Sequence, residues 1–205
     1  MTYLIRVAGI ALTPVLLTAC ADSVVRLRYA PDPSVERLAT AQAVTVFRFA
    51  DARGDEGDND PLRVGGVYNG YGMRLQKIMT RTPWPEALVA DLTAGFAQRG
   101  VSAVAVTDRS YAPGTPVSTR LVLGGEIRNF STEGRWLGLM AHVSGIVRLY
   151  DQRGGLLVEK RVSARVRPGQ ALGPVYENML NEAVQQFVRQ VVTDPDLTQR
   201  IVAAQ

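Results

Sequence analysis

Between Thr119 and Val166 the chain carries three strand-length runs, Thr119 to Phe130, Leu137 to Tyr150 and Leu156 to Val166. The last two alternate with a period of two, and successive side chains of a strand point to opposite faces of its sheet. Leu137, Leu139, Ala141, Val143, Val147 and Leu149 therefore share one face. Leu156, Val158, Val162, Ala164 and Val166 form the matching face of the next strand, after a hairpin turn at "DQRGG", residues 151–155. His142, Ser144, Arg148, Glu159, Arg161, Ser163, Arg165 and Arg167 fall on the other face. A sheet that is apolar on one side only must cover that side. The segment "GPVYENMLNEAVQQFVRQVVTD" supplies a cover, because Tyr176, Met179, Leu180, Ala183, Val184, Phe187, Val188 and Val191 lie along one helical stripe. Asp194-Pro195 interrupts it, and "DLTQRIVAAQ" reads as a final short helix.

The first half adds strands and one more helix. "AVTVFRFA", Ala43 to Ala50, is β-branched and aromatic, as a strand should be. Val24 to Tyr29 reads as a short strand, and "APDPSVERLATAQ", with Pro31 and Pro33, as a tether. "TPWPEALVADLTAGFAQRG" predicts a helix capped by Thr82, with Pro83 at its first position and Gly100 at its close. Trp84, Leu88, Leu92 and Phe96 recur on its inner face. "VSAVAV" then predicts a buried strand packed antiparallel to that helix. These elements make an α+β fold, a largely antiparallel sheet with helices on one face, and 46% hydrophobic residues suffice for its core.

One cysteine, Cys20, stands apart from this domain, and a lone cysteine forms no intramolecular disulfide. It follows a weakly basic start with Arg6, an apolar run from Val7 to Leu17, and the small residues Thr18 and Ala19, the build of a secretory signal peptide. The run is shorter than the ~20 residues a membrane-crossing helix needs. Leu17-Thr18-Ala19-Cys20 resembles the bacterial lipobox, in which the cysteine thiol takes up a diacylglyceryl group and becomes the mature amino terminus. That resemblance implies a membrane anchor made of covalent lipid, with no other cofactor. Ala21, rather than aspartate, after the cysteine implies the periplasmic face of the outer membrane over the inner membrane. The chain divides into a signal peptide (1–19), a lipidated N-terminus with short strand and tether (20–42), and a single α+β domain (43–205).

No stretch spells out a reaction. His142 is the single histidine and falls on a polar strand face without the partners of a catalytic triad or a metal site. Asp55, Glu56, Asp58 and Asp60 crowd "GDEGDNDP", yet lack the spacing of an EF-hand loop and read as a solvated loop. The glycines of "GGVYNGYGM" match neither the dinucleotide fingerprint nor the P-loop. A formal charge of +4 spread over the chain points away from nucleic acid. The arginines of the meander's polar face fit contact with lipid headgroups or another anion, but read first as a solvated face neutralised by Glu126 and Glu159.

The order of "VFRFADAR", "NGYGM", a proline-led helix ending in "RG", and the meander with "ENMLNEAVQQFVRQVVTDPDLTQRI" resembles the YajG-type family of bacterial lipoproteins. The pair Asp51 and Arg53 is similar to that family's D-x-R signature, and Asn69-Gly70-Tyr71-Gly72 to its next element. The resemblance implies a small periplasmic α+β domain, no catalytic residues and no enzymatic activity. Two functions fit. One is an envelope adaptor or structural binding module; the other is an auxiliary lipoprotein of a lipid or lipopolysaccharide transport system, with an apolar ligand cavity between sheet and helices. The glycine-bearing arm from Leu62 to Thr80 carries the candidate contact residues Tyr68, Asn69, Tyr71 and Met73. It either docks an envelope protein or a second copy, or completes the domain's own sheet.

Overall fold

The computed structural model describes residues 22–38, 42–54, 60–135, 138–167 and 175–204. Cys20, Leu137 and most of the acidic loop lie outside them. The fold is α+β, as the alternation in the second half requires. Strands β1 (Ser23–Val25), β2 (Ala43–Arg48), β3 (Ala50–Asp51), β4 (Arg63–Tyr68) and β5 (Arg74–Thr80) precede helix α1 (Trp84–Gln98). Then come β6 (Ser102–Ser110), β7 (Leu121–Arg135), β8 (Gly138–Asp151), β9 (Leu156–Val166), α2 (Val175–Val192) and α3 (Pro195–Ala203).

The meander forms one half of the sheet. β7, β8 and β9 run antiparallel, with Val122 opposite Tyr150 and Val143 opposite Ala164. Along its other edge β7 takes three partners in succession, all parallel: β2 at Leu121–Leu123, β3 at Glu126–Ile127 and β4 at Thr132–Gly134. The sheet therefore forks, one prong ending in β6 and the other in β5 and β1. β7 accommodates this with a register shift between Ile127 and Asn129. At Gly125, with φ near +147°, a Cβ would come within 2.0 Å of the Ile146 carbonyl oxygen, so only glycine allows the two backbones to meet there.

The helices fill one face. Trp84, Leu88, Leu92 and Phe96 of α1 and Met179, Leu180, Val184, Phe187 and Val191 of α2 are all buried in one core with Val143, Val147, Leu149, Val162, Ala164 and Val166. The alternation that placed those sheet residues inward is thereby accounted for. Leu156 is the exception, exposed at the start of β9. On the other face, the loop of residues 111–120 covers β2: Tyr111 packs on Phe47 and Tyr150 at centroid distances of 5.1 and 4.9 Å.

Three local expectations are corrected. Thr82 is not the cap of α1; Pro83 holds that position and Pro85 lies in the first turn, so proline geometry rather than a side-chain hydrogen bond starts the helix. "VSAVAV" is not a buried strand. β6 lies at the end of the sheet, pairs only with β2, and leaves Val104 about half exposed. The short strand expected from Val24 to Tyr29 ends at Val25, and the segment from Arg26 to Leu38 is docked along the helices instead. Arg26 and Arg28 donate backbone N–H groups to Glu177 and Asn181 of α2, at 3.1 and 2.9 Å. Tyr29 donates its hydroxyl to Gln98 at 2.6 Å, and Arg189 pairs with Asp32. Val25 enters the core and Leu27, Tyr29 and Leu38 pack against it. Gly100, with φ near +80°, closes α1 as its sequence position implied.

Candidate functional site

Asp51 ends β3, and Arg53 stands where the chain leaves the sheet. The Arg53 guanidinium grips both oxygens of Asp51, Nε on Oδ1 and Nη2 on Oδ2, each at 2.9 Å. Nη1 donates to the Arg63 carbonyl at 2.7 Å and Nη2 to the Asp60 carbonyl at 3.3 Å. Four of its five N–H groups are thereby engaged. Its ζ carbon stands 4.7 Å from the centre of the Trp84 ring, which in turn stacks on Phe130 at 4.9 Å. With the Arg53 side chain only 6% exposed, the D-x-R pair is a clamp. It ties the loop after β3 to β4 and to the head of α1.

Beside the clamp a cleft of about 360 Å3 is lined by Arg53, Arg63, Arg128, Ser131 and Glu133. Arg53 is already paired with Asp51. Arg128 pairs with Glu126 at 2.7 Å, and the buried Arg63 and Glu133 are both engaged by neighbours. Arginines already matched by carboxylates, as Arg53 and Arg128 are, have little attraction left for an anion.

The arm from Leu62 to Thr80 does two things. β4 and β5 form a hairpin whose base belongs to the sheet, through β4 on β7 and β1 on β5. Its tip stands out. The Asn69 carboxamide oxygen accepts from the N–H groups of Tyr71 and Met73 at 3.0 and 2.9 Å, and its own N–H donates to the Met73 carbonyl at 3.0 Å. Asn69 thus builds the turn from inside. Tyr71 is 92% exposed, Met73 61% and Leu75 58%, whereas Tyr68 is half-buried. The structure places Tyr71 and Met73 together at the tip and Asp51 and Arg53 apart from them, in the clamp.

His142 sits half-buried on β8, its Nε2 3.1 Å from the Ser163 hydroxyl and 3.4 Å from Nε of Arg165. Burial and the Arg165 guanidinium push the imidazole below its usual range. On the same face Arg148 meets Glu159 at 2.6 Å and Glu126 at 3.8 Å, the neutralisation the sequence suggested. Among the described residues there is no cluster of histidine, cysteine and carboxylate side chains able to hold a metal ion. No described helix is long and apolar enough to cross a membrane.

No family model matches the chain, and no curated protein matches it. Among solved structures it resembles a Xanthomonas campestris protein described under the family label DUF330, with 14% identity, 91% of this chain and 99% of that chain covered, and a TM-score of 0.59. An uncharacterized protein is similar at 17% identity, with 83% and 96% covered and a TM-score of 0.50. A lipoprotein from Neisseria meningitidis matches at 18% identity over 75% of this chain and 99% of its own, with a TM-score of 0.31, too low to carry an argument. What the first two likenesses establish is the fold.

Proposed function

We propose that this protein is a non-enzymatic, lipid-anchored envelope adaptor of the YajG type. Cys20 carries the lipid, the domain faces the periplasm from the outer membrane, and the tip of the β4–β5 hairpin docks an envelope protein or a second copy of the chain. The observation that carries the docking role is the tip itself. A turn braced by Asn69 holds Tyr71, Met73 and Leu75 out in water, although these are side chains that gain most by being covered. The packing between sheet and helices supports the adaptor over a lipid carrier. Trp84, Leu88, Phe96 and Phe187, each at most 1% exposed, occupy the space that an apolar ligand would need.

In-cell crosslinking of wild type against Tyr71→Ser with Met73→Ser tests the docking role. The variant is expected to keep its melting temperature and lose its crosslinked partner; retention of every crosslink would refute the role of the tip. The anchor has its own test. Cys20→Ser, with the signal peptide removed, is expected in the soluble fraction after a high-salt wash, and persistence with membranes would sink the lipid reading.

A further inference from the structure

A second cleft, of about 480 Å3, lies between the N-terminal segment and the start of α1. Arg26, Arg28, Arg81, Thr82, Ala90 and Asp91 line it. All three arginines are exposed, and among the described residues none of their guanidinium groups makes an ion pair. The backbone that carries two of them is nevertheless held in place. The backbone N–H groups of Arg26 and Arg28 are fixed to α2, and Asn181 returns a hydrogen bond to the Arg26 carbonyl at 2.9 Å. The carboxyl in the cleft, Asp91, can balance at most one of the three charges. It is only 7% exposed, its Oδ2 has no hydrogen-bond partner among the described residues, and burial pushes its pKa up to about 7.

Cations gathered around one cleft without ion-pair partners repel one another, and an anion placed among them relieves that repulsion. Guanidinium forks match the oxygens of a phosphate in pairs, a geometry that a single lysine cannot reproduce. We propose that this cleft binds the phosphate group of an anionic ligand, held by the guanidinium groups of Arg26, Arg28 and Arg81 and by the Thr82 hydroxyl. The phosphate arrives either as free phosphate or in a phospholipid headgroup. The second source rests on the anchor reading of Cys20: an extended chain from Cys20 to Arg26 spans at most about 20 Å, which keeps the cleft near the headgroup layer.

Calorimetric titration of the full chain in a neutral detergent tests the site, with inorganic phosphate in one arm and short-chain phosphatidylglycerol in the other. Saturable binding is expected. Arg28→Gln with Arg81→Gln should weaken it about tenfold or more, because it removes two of the three guanidinium groups. Arg161→Gln with Arg165→Gln, which removes the same charge from the exposed face of β9, should change it by no more than about twofold. Binding in both arms assigns phosphate itself, and binding of the lipid alone assigns the headgroup. Absence of saturable binding in both arms, or equal loss in the two pairs of variants, overturns the proposal. Detergent solution makes this outcome independent of acylation at Cys20, so its failure and that of the anchor are read separately.

Discussion

The two arginine-lined clefts of this domain use the same side chain for opposite ends. In the cleft beside β3 and β4, Arg53 is buried, clamped to Asp51 and laid over Trp84, and Arg128 is paired with Glu126. In the cleft beside the N-terminal segment, Arg26, Arg28 and Arg81 make no ion pair among the described residues and stay in water. A buried, hydrogen-bonded cation holds the fold together, because removing it strands its partners. An exposed, unmatched one contributes almost nothing to stability and is free to meet something else. Composition cannot tell the two apart; only the partners can.

The sharpest way to break this comparison is Arg53→Ala. It unpairs Asp51, frees the carbonyls of Asp60 and Arg63 and uncovers Trp84, so it should cost about 3–5 kcal/mol in urea denaturation at pH 7. A cost no greater than that of a surface arginine would mean that the D-x-R pair is not a clamp.

Asp91→Asn comes next, with the opposite sign. The folded-state pKa of about 7 lies above the ordinary 3.8, so the native state holds a proton that the unfolded chain has released. Asp91 therefore favours the fold fully at pH below about 4, and this advantage is lost as pH rises to about 7. At about 1.4 kcal/mol per pH unit the span caps the effect near 4 kcal/mol. The asparagine variant should be more stable than wild type by about 2–4 kcal/mol at pH 8, and the two should converge at pH 4. Parallel stability curves from pH 4 to 8 would show that the carboxyl is not held neutral by the fold.

Smaller still is Arg128→Gln, which removes an exposed pair with Glu126 and should cost less than about 1 kcal/mol. Smallest is Arg28→Gln, expected to lie within about 0.5 kcal/mol of wild type. If Arg28→Gln proved the more costly of these two, the open cleft would be structural after all.

The sequence exposed the meander because alternation is a local signal: each inward residue of β8 and β9 announces its face by its neighbour. The helix α2 was legible for the same reason, through its stripe. β6 misled because its composition, small and β-branched, suits a central strand and an edge alike, and position in the sheet is decided by strands far away in the chain. Asp51 and Arg53 were visible as a pair, but Trp84, read only as a core residue, also supplies the ring beneath the guanidinium. The second cleft left no trace at all. Arg26, Arg28, Arg81 and Asp91 come from segments more than fifty residues apart, in a chain where arginine is common throughout. The docking of residues 22–38 was hidden as well, since it depends on side chains of α2 meeting backbone groups, which no periodicity records.

The forked sheet also fixes an order of events. β2, β3 and β4 are made early in the chain, yet the edge on which all three align belongs to β7: Val44 waits for Leu121, Ala50 for Glu126 and Gly65 for Thr132. Before β7 exists, β4 has only its hairpin partner β5 and β2 has only β6, so the edge that joins them is missing, and closing such long loops is slow compared with forming a local hairpin. The late meander is the opposite case, a run of sequential hairpins able to assemble by itself. The sheet therefore closes only once the carboxy-terminal half exists, when β7 arrives to join the β4–β5 hairpin to the β2–β6 pair.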